Sequence, residues 1–175
     1  MGLRKWLVFI TAFAVSCGPY WAKTGSTTNY PGNITVCLQL PKDQLPLAHI
    51  AVAEWDTVLA NWERVIPIDN APDPGICTIQ VRIVDKPLAD IPNALAWCSC
   101  VGCRDISRYA GHYEQDISGI LQHEIGHALG AQHVPGTLMN ATWEPNKFVC
   151  PDRTTVTQVA AWNHVDVTLL SWCYF

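Results

Sequence analysis

Charge is scarce in this chain. Charged residues fill 15% of its 175 positions and the formal net charge is −4, where typical domains carry about 25% charged residues. Lys and Arg form no run, which excludes a nucleic-acid footprint and a basic helix lying on a membrane surface. No apolar stretch reaches the about 20 residues that a membrane-spanning helix needs. Internal repeats and low-complexity segments are also missing, which removes solenoids and biased tails. Methionine is nearly absent, with Met1 and Met139 the only two. What remains is an apolar composition, 49% hydrophobic. It sits in a length that suits one compact domain of about 100 to 200 residues.

Cysteine, by contrast, is plentiful: Cys17, Cys37, Cys77, Cys98, Cys100, Cys103, Cys150 and Cys173. The N-terminus explains why. Arg4 and Lys5 precede an apolar run from Trp6 to Val15, too short to span a bilayer and suited to an export signal. Ala14-Val15-Ser16-Cys17 is similar to a bacterial lipobox, whose cysteine becomes a lipidated N-terminus, although leucine is more usual at its first place. Two fates stay open: lipidation at Cys17, or cleavage and release. In an exported chain the cysteines read as a disulfide framework. The cluster Cys98, Cys100 and Cys103 has no fourth ligand nearby, so disulfides are favoured there over metal. Cys150 with Cys173 is the expected pair for the C-terminal segment. Residues 1–17 are thus read as the signal, 18–32 as a flexible tether rich in Gly, Ser and Thr, and 33–175 as a single domain. No folded inhibitory segment fits before the first strand. The domain is expected to be made active or to be blocked by a short peptide.

Residues 123–133 read His-Glu-Ile-Gly-His-Ala-Leu-Gly-Ala-Gln-His, which fills every fixed place of H-E-x-x-H-x-x-G-x-x-H. On a helix, positions i and i+4 share a face, so His123 and His127 can offer two imidazoles to one metal ion. Glu124 projects to the flank of that pair, where it can take a proton from water. Gly130 can stop the helix, because glycine tolerates the conformation a sharp exit requires. His133 then returns as a third ligand. Three neutral imidazoles leave a tetrahedral Zn2+ with an open position, the arrangement of catalytic rather than structural sites. Five fixed residues in this order would arise by chance in roughly fewer than one in ten thousand chains of this length.

These residues resemble the zinc helix of the metzincin clan of endopeptidases. Gly136-Thr137-Leu138-Met139-Asn140 is similar to the clan's Met-turn, in which Met139 would shape the floor of the site and do no chemistry. Within the clan, "HEIGHALG" and "LMNATW" look most like the matrixins. Val134 stands where matrixins usually have serine, and Ala141 and Trp143 stand where proline and tyrosine are usual. Ala141 also occupies the place of the tyrosine ligand of astacin-like and serralysin-like members, so no such ligand is expected.

Strands are expected over Asn33 to Leu40, Cys77 to Val84, Ala94 to Cys98 and Cys103 to Tyr109, from alternation and β-branching. A helix is expected from Pro46 to about Val65, where apolar residues recur at helical spacing. Pro67 to Gly75 reads as a loop. The zinc helix is expected to begin near Asp116 and to bury Ile117, Leu121, Ile125 and Ala128 opposite the histidines. Thr155 to about Val165 reads as a last helix. The resemblance implies an α+β fold of zincin type. It would comprise a mixed twisted sheet, a long backing helix, the zinc helix, the Met-turn and a C-terminal helix. It also implies an edge strand that pairs with extended substrate, for which Ala94, Leu95, Ala96 and Trp97 are the candidates. His49, His112 and His164 have no partner spacing and read as surface or capping residues.

The expectation is an exported zinc endopeptidase, a monomer acting on protein or peptide. It would touch membranes only through a lipid on Cys17 and would bind no nucleic acid. Its ligands would be His123, His127 and His133, and its general base Glu124. Nothing in the sequence decides on a structural calcium or a second zinc. Two rivals stand beside this reading: a catalytically silent binding module on the same scaffold, and a zinc hydrolase of a non-peptide bond.

Overall fold

A computed structural model describes residues 33–84, 95–98, 102–109, 116–142 and 150–173. The expected signal, the tether and Cys17 lie outside these residues, as do Ala94, Cys100, His112 and Trp143. Among the described residues, five strands form one mixed sheet: β1 (Ile34–Gln39), β2 (Val65–Asp69), β3 (Ile79–Val84), β4 (Ala96–Cys98) and β5 (Asp105–Tyr109). Their order is β2-β1-β3-β5-β4, with every pairing parallel except β4 against β5. Three helices complete an α+β fold: α1 (Leu45–Leu59), α2 (Ile117–Ala128) and α3 (Arg153–Trp162).

The strand β1 lies inside the sheet and is buried at Ile34, Val36, Cys37 and Leu38. It is covered on both faces, as interior parallel strands usually are. The expectation of a helix to Val65 and a loop from Pro67 is corrected here. The helix α1 ends at Leu59, and Val65–Asp69 is a strand. Pro67 sits opposite Val36 in the parallel ladder with β1. Its missing N–H is tolerated because β2 is the last strand on that side of the sheet.

Proline in the first turn of α1 suits a position where the amide would have no helical partner. The face carrying Ala48, Ala51, Val52, Trp55, Val58 and Leu59 is buried. Trp55 ties this helix to α2, because its indole N–H donates to the Gln122 carbonyl at 3.0 Å. Asp56, in the last turn of α1, ties that helix to the start of β2. Its carboxylate accepts from Arg64 Nε and Nη2, each at 2.8 Å, and from the Val65 N–H at 2.8 Å. The Arg64 guanidinium holds that carboxyl below its usual range.

Among the described residues, three disulfides are present: Cys37–Cys77, Cys98–Cys103 and Cys150–Cys173. The expected C-terminal pair is among them. Two members of the Cys98, Cys100 and Cys103 cluster are joined to each other rather than held for a metal.

Helix α3 braces α2 from its far end. Asn163 donates to the carbonyls of Leu129 and Val159, each at 2.8 Å. Gln158 accepts the Gln132 N–H at 2.7 Å. Gly130 has φ +109° and a Cβ there would run into the Trp162 side chain. Gly130→Ala therefore combines a forbidden backbone conformation with overpacking, and is expected to cost roughly 2–5 kcal/mol of stability. Thermal unfolding of the metal-free variant checks this. An unchanged midpoint would mean that the Trp162 contact does not hold the turn.

Candidate metal centre

Helix α2 is buried almost all round, not along one stripe as the sequence pattern suggests. Ile117, Leu121, Ile125 and Ala128 are covered as expected, and so are Gln122, His123, Glu124 and Gly126. His123 and Glu124 are each 8% exposed. The polar side of this helix thus faces protein and the site rather than solvent.

His123, His127 and His133 converge, with one ligand nitrogen from each lying within 4.8 Å of the others. Ring centroids are 4.7 Å apart for His123 and His127, 5.3 Å for His123 and His133, and 4.6 Å for His127 and His133. The tautomers of the first two follow from their partners. His123 Nδ1 lies 2.8 Å from the Leu138 carbonyl, and His127 Nδ1 lies 2.8 Å from the Ala131 carbonyl. A carbonyl can only accept, so each Nδ1 carries the proton and each Nε2 presents a lone pair. His127 Nε2 faces His133 Nε2 at 3.1 Å. Two ligands of one tetrahedral ion, each about 2.0–2.1 Å from it, stand about 3.3 Å apart. The chemistry, tautomers and spacing of this donor set therefore fit a single metal ion.

Electrostatics favour the same role. Burial pushes the His123 imidazole down to about 3, helped by the neighbouring His127, and pushes His127 down to about 4. Burial lowers His133 as well. All three are neutral at pH 7, the form a metal requires. Glu124 moves the other way, because burial raises its carboxyl to about 8 while the Cys98 backbone N–H partly offsets the rise. His133 is exposed and His127 is half-buried. The centre is thus closed on the helix side and open toward solvent past His133.

The turn beneath the histidines is closed by its own hydrogen bonds. Val134 N–H donates to the Met139 carbonyl at 2.9 Å. Thr137 Oγ1 donates to the Val134 carbonyl at 2.8 Å and accepts the Met139 N–H at 3.1 Å. Met139 is fully buried, and a Cβ on Gly126 of α2 would lie 2.7 Å from its sulfur. The methionine therefore packs against the helix that carries the first two histidines. Met139→Leu is nearly equal in volume and is expected to cost less than about 1.5 kcal/mol with metal content unchanged. Metal analysis beside denaturant unfolding checks it, and loss of metal would show that the side chain does more than pack.

Asp152 was not singled out by sequence reasoning. It accepts the Leu138 N–H at 2.9 Å while capping α3 through the Thr155 N–H at 3.0 Å. Its capping role could have been read from an aspartate three places before Thr155. Its reach to Leu138, whose carbonyl orients His123, could not.

Of the expected edge-strand residues, Ala96 and Trp97 lie in β4, Leu95 precedes it, and Ala94 is outside the described residues. The strand β4 is the last in the sheet on its side. It pairs Ala96, Trp97 and Cys98 with Arg108, Ser107 and Ile106 of β5. Among the described residues, one other grouping of metal-binding residue types occurs, Glu54 with Cys150 and Cys173. Its sulfurs are joined to each other, so it offers no thiolate. His49 is on the surface beside Asp69, 2.7 Å from its carboxylate. His164 is exposed with φ +56° just after α3.

No family model matches this chain, and no curated protein matches it either.

Proposed function

We propose that this chain is an exported zinc-dependent endopeptidase of metzincin type, closest in character to the matrixins. The observation that carries the reading is a buried carboxylate, Glu124, one residue along α2 from a His123–His127–His133 cluster whose tautomers suit a metal. A structural site would be closed by a fourth protein ligand, and among the described residues this cluster holds three histidines alone. A bound zinc would supply Lewis acidity toward a carbonyl oxygen and would acidify water.

Glu124 takes a proton from the attacking water and returns it to the leaving amine. Its raised proton affinity, about 8 without a cation, suits a group that must both gain and lose a proton. A cation bound by the three imidazoles would lower that value and so favour the basic form. Ala96 and Trp97, in β4, the last strand of the sheet among the described residues, offer backbone groups to an extended peptide. Met139 and the turn around it keep His123 in place. The disulfides fit an oxidising compartment. Among the described residues, no helix is long and apolar enough to cross a membrane.

A cleavage profile on a peptide library, with and without chelator, tests the reading. Cleavage that chelator abolishes and zinc restores is the expected result. Hydrolysis of esters or amides alone, with no peptide cleaved, would favour the non-peptide rival. No hydrolysis by zinc-loaded protein would favour the silent module.

A further inference from the structure

Building on the peptidase reading, a second feature of the centre concerns how the base is held. Two backbone N–H groups reach α2 from the sheet edge. Cys98 N–H, at the end of β4, donates to the Glu124 carboxyl. Gly102 N–H donates to the His127 carbonyl at 2.8 Å. The disulfide Cys98–Cys103 lies between these two points, with Cα atoms 5.8 Å apart and the two residues 7% and 5% exposed. Gly102 has φ +76°, and a Cβ there would lie 3.2 Å from Trp162, the last residue of α3. One contact thus reaches the base and the other the peptide of a metal ligand, and the sulfur bridge joins Cys98 to the residue that follows Gly102.

We propose that the Cys98–Cys103 disulfide is a positioning clasp for Glu124. The strand β4 has three residues, too few ladder bonds to hold its backbone in register unaided. A buried carboxylate with one oxygen fixed by an N–H donor has its other oxygen aimed. The bridge holds that donor still. A purely stabilising role explains the bridge poorly. It closes a separation of 5 residues, against 40 for Cys37–Cys77, and cross-links over short loops restrict the unfolded chain least.

The test is Cys98→Ala with Cys103→Ala in the full chain, assayed beside the parent for zinc content, kcat and KM. The expected outcome is unchanged zinc content, little change in KM, and kcat lower by roughly 10- to 100-fold, the usual effect of loosening an outer contact on a reacting group. Made in a Glu124→Ala background, the same pair is expected to lower kcat no further, because the clasp acts through that carboxylate. Unchanged kcat in the first variant, loss of zinc, or an equal fall in the Glu124→Ala background would each overturn the clasp. A parent that cleaves no peptide would overturn the peptidase reading instead, so the two failures are separable. A second measurement keeps both disulfide cysteines and does not depend on activity. Amide hydrogen exchange at Cys98 is expected to be at least about tenfold faster in Glu124→Ala than in the parent, since its acceptor is gone. Equal exchange in the two would show that the carboxylate and this N–H do not hold one another.

Discussion

Glu124→Ala is expected to keep its metal and lose its chemistry. Peptide hydrolysis should fall by roughly two to four orders of magnitude, the usual worth of positioned acid–base catalysis. Zinc should stay at about one per chain, because three imidazoles hold it and the carboxylate does not. The fold should survive. Removing a buried carboxyl leaves the Cys98 N–H without its acceptor, a loss of about 1–3 kcal/mol. It also removes a group whose charged form burial disfavours. Zinc analysis with kcat on one peptide decides the matter. A variant that cleaves as fast as the parent would remove Glu124 from the mechanism.

The second large effect is on metal itself. His133→Ala should weaken zinc binding by more than about 100-fold, since outer contacts to a ligand alone are worth 10- to 100-fold. His133 is the exposed member of the three, so its loss should barely alter the stability of the metal-free chain. That separates a ligand from a structural residue. His123 could not be tested as cleanly, because it is 8% exposed and bonded to the turn that carries Met139. Full zinc occupancy in His133→Ala would place the third ligand elsewhere.

The centre was more legible in the sequence than the fold around it. The spacing of His123, Glu124, His127, Gly130 and His133 is itself the geometry of a helix, a stop and a return, so local rules suffice. Strand β2 was missed because Pro67 is a strong loop signal, and only its place at the sheet edge makes it tolerable. The end of α1 was misplaced because apolar residues continue at helical spacing into β2, where Val65 is buried against the same core. The burial of α2 on nearly all sides was illegible for a different reason. The partners that cover it, Trp55, Met139 and β4, come from distant parts of the chain. The same holds for Cys98 on Glu124 and Asp152 on Leu138. Each joins a side chain to a backbone group far off in sequence, and no periodicity records such a contact.

One measurement bears on the central claim most directly. Metal-free chain is titrated with zinc while peptide hydrolysis is followed. Activity should rise in proportion to added zinc and level off at about one equivalent per chain, the stoichiometry of a single three-histidine centre. Stoichiometric zinc binding with no hydrolysis at any point of the titration, or hydrolysis already complete before zinc is added, would contradict the account.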